Sequence, residues 1–160
     1  VGGITPAMAP ACLVLPDQLI DYTSARAHTF FDQDLEEVVH VDFTEPYCGD
    51  LREHMLQAAK LAGLDIVPRG TYGATQGPRL ESRAEIDRLA RDGCDLVGMT
   101  GMPEAGLARE LDLCYATCAV VANWAAGRGE GVITMEEIRA NLEQGMERVK
   151  QLLAGLAERL

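Results

Sequence analysis

The sequence predicts an α/β fold, a mixed and mainly parallel twisted sheet flanked by helices. Three observations carry this reading. Short apolar runs alternate with stretches of helical periodicity. Capping boxes at Ser82-x-x-Glu85 and Thr134-x-x-Glu137 announce two helices. Two glycine-rich junctions, residues 70–85 (GTYGATQGPRLESRAE) and 97–104 (VGMTGMPE), each lead from a strand into a helix.

Taken in order, residues 12–20 (CLVLPDQLI) predict a short apolar strand, and residues 21–34 a long polar loop. Residues 38–43 (VVHVDF) alternate enough to predict a strand carrying His40. Pro46 then opens a helix in which Leu51, Met55, Ala59 and Ala62 recur at helical spacing, and Gly63 stops it. Residues 64–74 return as a strand into the first junction. The helix capped by Ser82 presents Ile86, Leu89 and Ala90 to a core and ends at Gly93. Residues 94–99 read as a buried strand, and residues 103–111 as a short helix with Pro103 in its first turn. Residues 113–122 (LCYATCAVVA) are apolar throughout and predict a strand covered on both faces. After a flexible loop at 127–131, the helix begun at Thr134 runs to the end of the chain. Ile138, Leu142, Met146, Val149, Leu153 and Leu156 form its apolar stripe. No repeat, low-complexity tract or linker interrupts the pattern, so residues 1–160 read as one domain.

Composition excludes several classes of function. A formal net charge of −11 argues against nucleic acid or an anionic membrane surface as partner, since both reward basic contacts. No apolar run is long enough to span a bilayer. The cysteines (Cys12, Cys48, Cys94, Cys114 and Cys118) are odd in number, lie mostly in apolar runs and show neither CxxC nor Cys/His metal spacing. With no signal peptide visible, the expectation is reduced, buried thiols in a cytoplasmic protein that binds no metal.

The glycine junctions are where α/β proteins place ligands, because backbone N–H groups and helix N-termini face the crevice there. GTYGATQGPRLESRAE followed by DLVGMTGMPEAGLARE resembles the purine nucleoside phosphorylase and methylthioadenosine phosphorylase family, and the similarity extends from VGGI to the last helix. The resemblance implies a nucleoside phosphorylase-like domain, of which these residues form the C-terminal two-thirds. It also implies a preceding N-terminal portion holding a phosphate-binding glycine loop and an Arg-His phosphate site. On that basis the 160-residue piece alone is expected to be inactive.

The family's reaction transfers a ribosyl group from purine to inorganic phosphate through an oxocarbenium-like transition state, with phosphate as co-substrate and no cofactor. By the resemblance, Asn123 occupies the base-recognition position, where adenine-specific members carry aspartate. An amide NH2 satisfies the O6 and N7 acceptors of a 6-oxopurine, and a bond that tightens as charge builds on the leaving base lowers the barrier. On the residues alone, Asn123 reads first as a strand-end turn residue, and only the motif context reverses that. Glu81 precedes the helix cap, where a carboxylate ordinarily just favours the helix dipole. The matching glutamate in 6-oxopurine enzymes accepts the N1–H, a proton adenine lacks. Ala125 stands where adenine-specific members have a second aspartate.

Leu80 matches a base-packing phenylalanine, and Val97, Gly98 and Met99 match the wall of the base and ribose pocket, although a strand methionine is ordinarily core. Thr100 matches a phosphate contact. Met135 matches a position that is histidine in inosine/guanosine phosphorylases and apolar in methylthioadenosine phosphorylases, so it suits a methylthio group; a hydrophobic residue of the capping turn is an equal reading. His40 matches a histidine lent to the neighbouring subunit's 5′ pocket, which implies a homotrimer, whereas a lone strand histidine is ordinarily structural. Arg79 is expected to brace the loop, and His28 and His54 have no assigned role.

Together these features imply phosphorolysis of S-methyl-5′-thioinosine to hypoxanthine and 5-methylthioribose 1-phosphate, in purine salvage. The alternatives are a general inosine/guanosine phosphorylase, a methylthioadenosine phosphorylase or, in another class, an inactive purine-binding or oligomerising fragment.

Overall fold

The computed structural model describes residues 1–33 and 38–159. Its strands are β1 (Gly2–Gly3), β2 (Leu13–Val14), β3 (Gln18–Asp21), β4 (Ile66–Val67), β5 (Thr71–Ala74), β6 (Leu96–Gly98), β7 (Ala119–Val120) and β8 (Asn123–Trp124). The helices are α1 (Gly49–Leu61), α2 (Arg83–Arg91), α3 (Glu104–Glu110) and α4 (Met135–Ala157). One sheet runs β3-β5-β6-β1-β8 and a smaller one β4-β2-β7. Parallel pairing joins β3 to β5, β5 to β6, β1 to β8 and β2 to β4, while β1–β6 and β2–β7 are antiparallel. The expected mixed, mainly parallel sheet is present, split in two. No helix of the described residues is long and apolar enough to cross a membrane.

The splits follow the chain's breakers. Residues 12–20 form two strands, β2 and β3, because Pro16 lies between them; a proline supplies no N–H to a ladder. Residues 64–74 divide into β4 and β5 around Pro68 and Gly70, whose φ of 158° carries the chain from one sheet to the other. The apolar run 113–122 is a strand only at Ala119–Val120, with β8 starting afresh at Asn123. The expected strand at 38–43 is not one. Val38, Val39 and Val41 are exposed and pair with no strand, so alternation there reflects no buried face. Residues 22–33 form neither helix nor strand, and Asp34, the last residue of the expected loop, lies outside the described residues.

The helices hold their positions better. Helix α1 starts three residues after Pro46, packs Met55, Ala58 and Ala59 inward, and stops before Gly63 at φ 64°. Helix α2 has both halves of its capping box, and Ile86 and Leu89 are buried. In α4, Thr134 accepts from the Glu137 N–H. Its buried stripe is Gly145, Val149, Leu152 and Leu156. Met146 and Leu153, placed inward by the sequence pattern, are exposed because the helix lies on its glycine side. A Cβ at Gly145 would sit 2.2 Å from Val120 Cγ1, so the missing side chain is what lets α4 approach β7. Asn141 Nδ2 then ties α4 to the Ala122 carbonyl at 2.7 Å, beside the start of β8.

The expectation of reduced, buried thiols fails for two cysteines. Cys48, at the N-cap of α1, is disulfide-bonded to Cys114 in the connection after α3. Cys94 is buried, and Cys12 and Cys118 are half-buried free thiols.

Candidate functional site

The two glycine junctions emerge side by side because β5 and β6 are adjacent parallel strands, with Gly73 opposite Val97 and Ala74 opposite Gly98. The ladder continues one residue further, through the Thr75 N–H to the Gly98 carbonyl at 2.8 Å. Beyond it the chains need close contact. A Cβ at Gly77 would meet Met99 Sδ at 2.3 Å, and Gly77 also sits at φ 64°, so glycine is required twice over. At Gly98 a Cβ would fall 2.1 Å from the Tyr72 hydroxyl. The third wall comes from β8, the edge strand of the larger sheet, whose Asn123 pairs with Gly2 of β1.

Between these walls lies a cleft of about 280 Å³. Leu80, Glu81, Val97, Gly98, Met99, Thr100 and Asn123, all expected from the sequence, line it together. Met135 and His40 do not. Met135 is more than half exposed at the start of α4, and His40 is exposed on the 38–43 segment. Tyr72 and Ile133 carry no such expectation from the sequence, and Ile138 and Leu142 are expected on the apolar stripe of α4, yet all four face the cleft.

Asn123 is buried, and its Nδ2 donates to the Trp124 carbonyl at 2.7 Å. An amide nitrogen has two hydrogens, so one remains for a ligand acceptor. Glu81 is half-buried, and its Oε1 accepts from the Thr75 hydroxyl at 2.6 Å. Thr100 contacts Tyr72, with 3.3 Å between the two hydroxyl oxygens and 3.4 Å from the Thr100 N–H to the phenol oxygen. Burial raises the Tyr72 phenol above its ordinary pKa, against the lowering effect of those Thr100 bonds, so it enters the cleft as a neutral hydroxyl. Arg79 braces the loop as expected, its guanidinium forking onto Glu85 with both N–O distances 2.8 Å.

One organising residue carries no sequence signal. Arg26, in the polar loop after β3, reaches the carbonyls of Thr75 and Gln76 from the first junction and those of Met99 and Met102 from the second. A single guanidinium thus clamps both junctions, using donors whose planar fork suits several carbonyls at once. Its partners lie tens of residues away in sequence, so no local pattern marks it.

The geometry defines an α/β protein with a largely apolar cleft at strand ends, carrying one amide and one carboxylate, a combination that can hold a small ring with polar edges. The family model of the phosphorylase superfamily matches residues 1–158, and the chain belongs to that superfamily. It is 57% identical over 154 residues to a probable S-methyl-5′-thioinosine phosphorylase of Pseudomonas syringae pv. tomato, covering 96% of this chain and 63% of the relative. It is 45% identical to the 6-oxopurine nucleoside phosphorylase of Pyrococcus furiosus, covering 96% of this chain and 60% of the relative. Among solved structures, methylthioadenosine phosphorylase from Schistosoma mansoni in complex with adenine superimposes with a TM-score of 0.89 at 26% identity, covering 97% of this chain and 61% of that one. The chain therefore spans about three-fifths of the length of the relatives it matches.

Proposed function

We propose that the intact protein containing this chain is a pentosyltransferase of the purine nucleoside phosphorylase type. It cleaves S-methyl-5′-thioinosine with inorganic phosphate to give hypoxanthine and 5-methylthioribose 1-phosphate. The observation that carries this reading is the presence of Glu81 and Asn123 in one cleft, one an acceptor and the other with a donor to spare. A 6-oxopurine needs that pair: an acceptor for N1–H and a donor for N7 or O6. Adenine would set an N1 lone pair against the carboxylate, a mismatch that site discrimination of this kind punishes heavily.

In the reaction, the sugar–N9 bond breaks as phosphate oxygen approaches C1′, and negative charge grows on the purine. The Asn123 amide hydrogen strengthens its bond to N7 as that charge develops. Thr100 contacts the phosphate, Met99 and Val97 pack on ribose and base, and Leu80 covers the ring. Met135 and a neighbouring subunit's His40 form the 5′ pocket, which makes the working species a homotrimer. No cofactor takes part. The relationship to probable S-methyl-5′-thioinosine phosphorylases supports the methylthio preference.

A second reading, a general inosine/guanosine phosphorylase, is favoured by the exposure of Met135 outside the cleft and by the 6-oxopurine nucleoside phosphorylase relative. Phosphate-dependent base release by the intact protein separates the two. Methylthioinosine outpacing both methylthioadenosine and inosine in kcat/KM is the expected result. Inosine ahead would move the assignment to the second reading, and methylthioadenosine ahead would refute the base reading.

A further inference from the structure

Glu81 lines two clefts. One is the cleft it shares with Asn123. The other lies on the far side of the first junction, bordered by Tyr22, Thr75, Gln76, Arg79 and Arg88. Thr75 lines only the second, so it stands behind Glu81 as seen from the base site.

The Thr75 hydroxyl sits between two acceptors, Glu81 Oε1 at 2.6 Å and the Gly98 carbonyl at 3.3 Å. It has one hydrogen, and the shorter contact has the length of a bond from a hydroxyl to a charged carboxylate. The hydroxyl is itself well anchored. Its backbone N–H is the last rung of the β5–β6 ladder, and the Arg26 guanidinium holds its carbonyl at 3.2 Å.

A free glutamate has three side-chain torsions. This one has its Oε1 pinned from behind, which leaves Oε2 as the acceptor for the cleft. We infer that Thr75 is a positioning residue for base selection: it fixes the Glu81 carboxylate as an acceptor towards the N1–H of a 6-oxopurine, without itself touching substrate. The inference rests on the base reading proposed above and adds to it the device that orients the carboxylate.

The test compares wild type, Thr75→Val and Thr75→Ser in the intact protein, measuring kcat and KM for methylthioinosine and methylthioadenosine. Valine keeps the shape and removes the donor, while serine keeps the donor. Thr75→Val is expected to raise the methylthioinosine KM about tenfold, the size of one hydrogen bond to a charged group, with kcat little changed. The effect on methylthioadenosine should be much smaller, so the substrate ratio falls, and Thr75→Ser restores it. In a Glu81→Gln background the same Thr75→Val change should leave the ratio where Glu81→Gln put it. General loosening of the loop would instead slow both substrates equally. A wild type selective for 6-oxopurines whose Thr75→Val variant keeps its ratio would overturn the role of Thr75 alone. A wild type that prefers methylthioadenosine would overturn the base reading and this role with it.

Discussion

The base end of the cleft and the region around residues 38–48 and 114 are built differently. At the base end every functional side chain hangs from the backbone ladder of the larger sheet. β5 and β6 deliver the two junctions, β8 delivers Asn123, and Arg26 and Thr75 brace the result. The other region has no ladder. Its 38–43 segment leaves three valines exposed, and its main fixture is the Cys48–Cys114 bond at the start of α1. One end is positioned by secondary structure and the other by a covalent tie with isolated contacts beside it, the Cys48 N–H to the Tyr115 carbonyl at 2.8 Å and the stacked Tyr47 and Tyr115 rings. Substitutions should therefore separate the two, with base specificity residing at the base end and stability effects without base specificity at the other.

The largest expected effect is at Asn123. Asn123→Asp should lower kcat/KM for methylthioinosine about a hundredfold, because a carboxylate repels the N7 and O6 lone pairs and offers no hydrogen to the leaving base. Steady-state kinetics of the intact protein reads this directly. Next comes Cys114→Ser, which removes a cross-link spanning 66 residues. Thermal or urea unfolding should show a loss of about 2–4 kcal/mol, with the ratio of methylthioinosine to methylthioadenosine turnover unchanged. A changed ratio would mean that the two regions are coupled.

Arg26→Met should be smaller in stability and different in kind. Losing the clamp is expected to cost about 2 kcal/mol and to raise KM for both substrates together, since both junctions relax. An unchanged KM for both substrates would contradict the clamp. The smallest effect is at the cap of α2, where Ser82→Ala should cost about 1 kcal/mol in the same unfolding assay. Acid probes the same turn. Hydrogen bonds from Arg79, then from the Ser82 backbone, hold the Glu85 carboxyl at about 2 rather than its ordinary 4.5. A depressed carboxyl contributes stability above its unfolded pKa, so the contribution is full above pH 4.5 and is lost as pH falls from there towards 2. Glu85→Gln should flatten that part of the stability profile.

The frame of the base end was legible in the sequence, because glycine and capping-box positions are local signals, whereas the roles expected of Glu81 and Asn123 came from the family resemblance. The Ser82 box fixes where α2 begins, and with it the place of Glu81. Gly77 is demanded by both its φ and Met99, so the junction motif encodes its own geometry. What was not legible is whatever depends on distant partners. The 113–122 run is uniformly apolar, and only the pairing of Val120 with Leu13 decides which residues become strand. The stripe of α4 turns towards Gly145 because Val120 lies beneath it, a fact that the helix's own periodicity does not contain. The pairing of Cys48 with Cys114 and the reach of Arg26 to Met99 are likewise contacts that only the folded topology creates.

On the proposed function, Glu81 and Asn123 together select a 6-oxopurine. Calorimetric titration of the intact protein with hypoxanthine and with adenine, in the presence of phosphate, tests it without relying on turnover. Hypoxanthine should bind at least tenfold more tightly, about 1.4 kcal/mol in its favour. Equal affinities, or adenine binding more tightly, would contradict it.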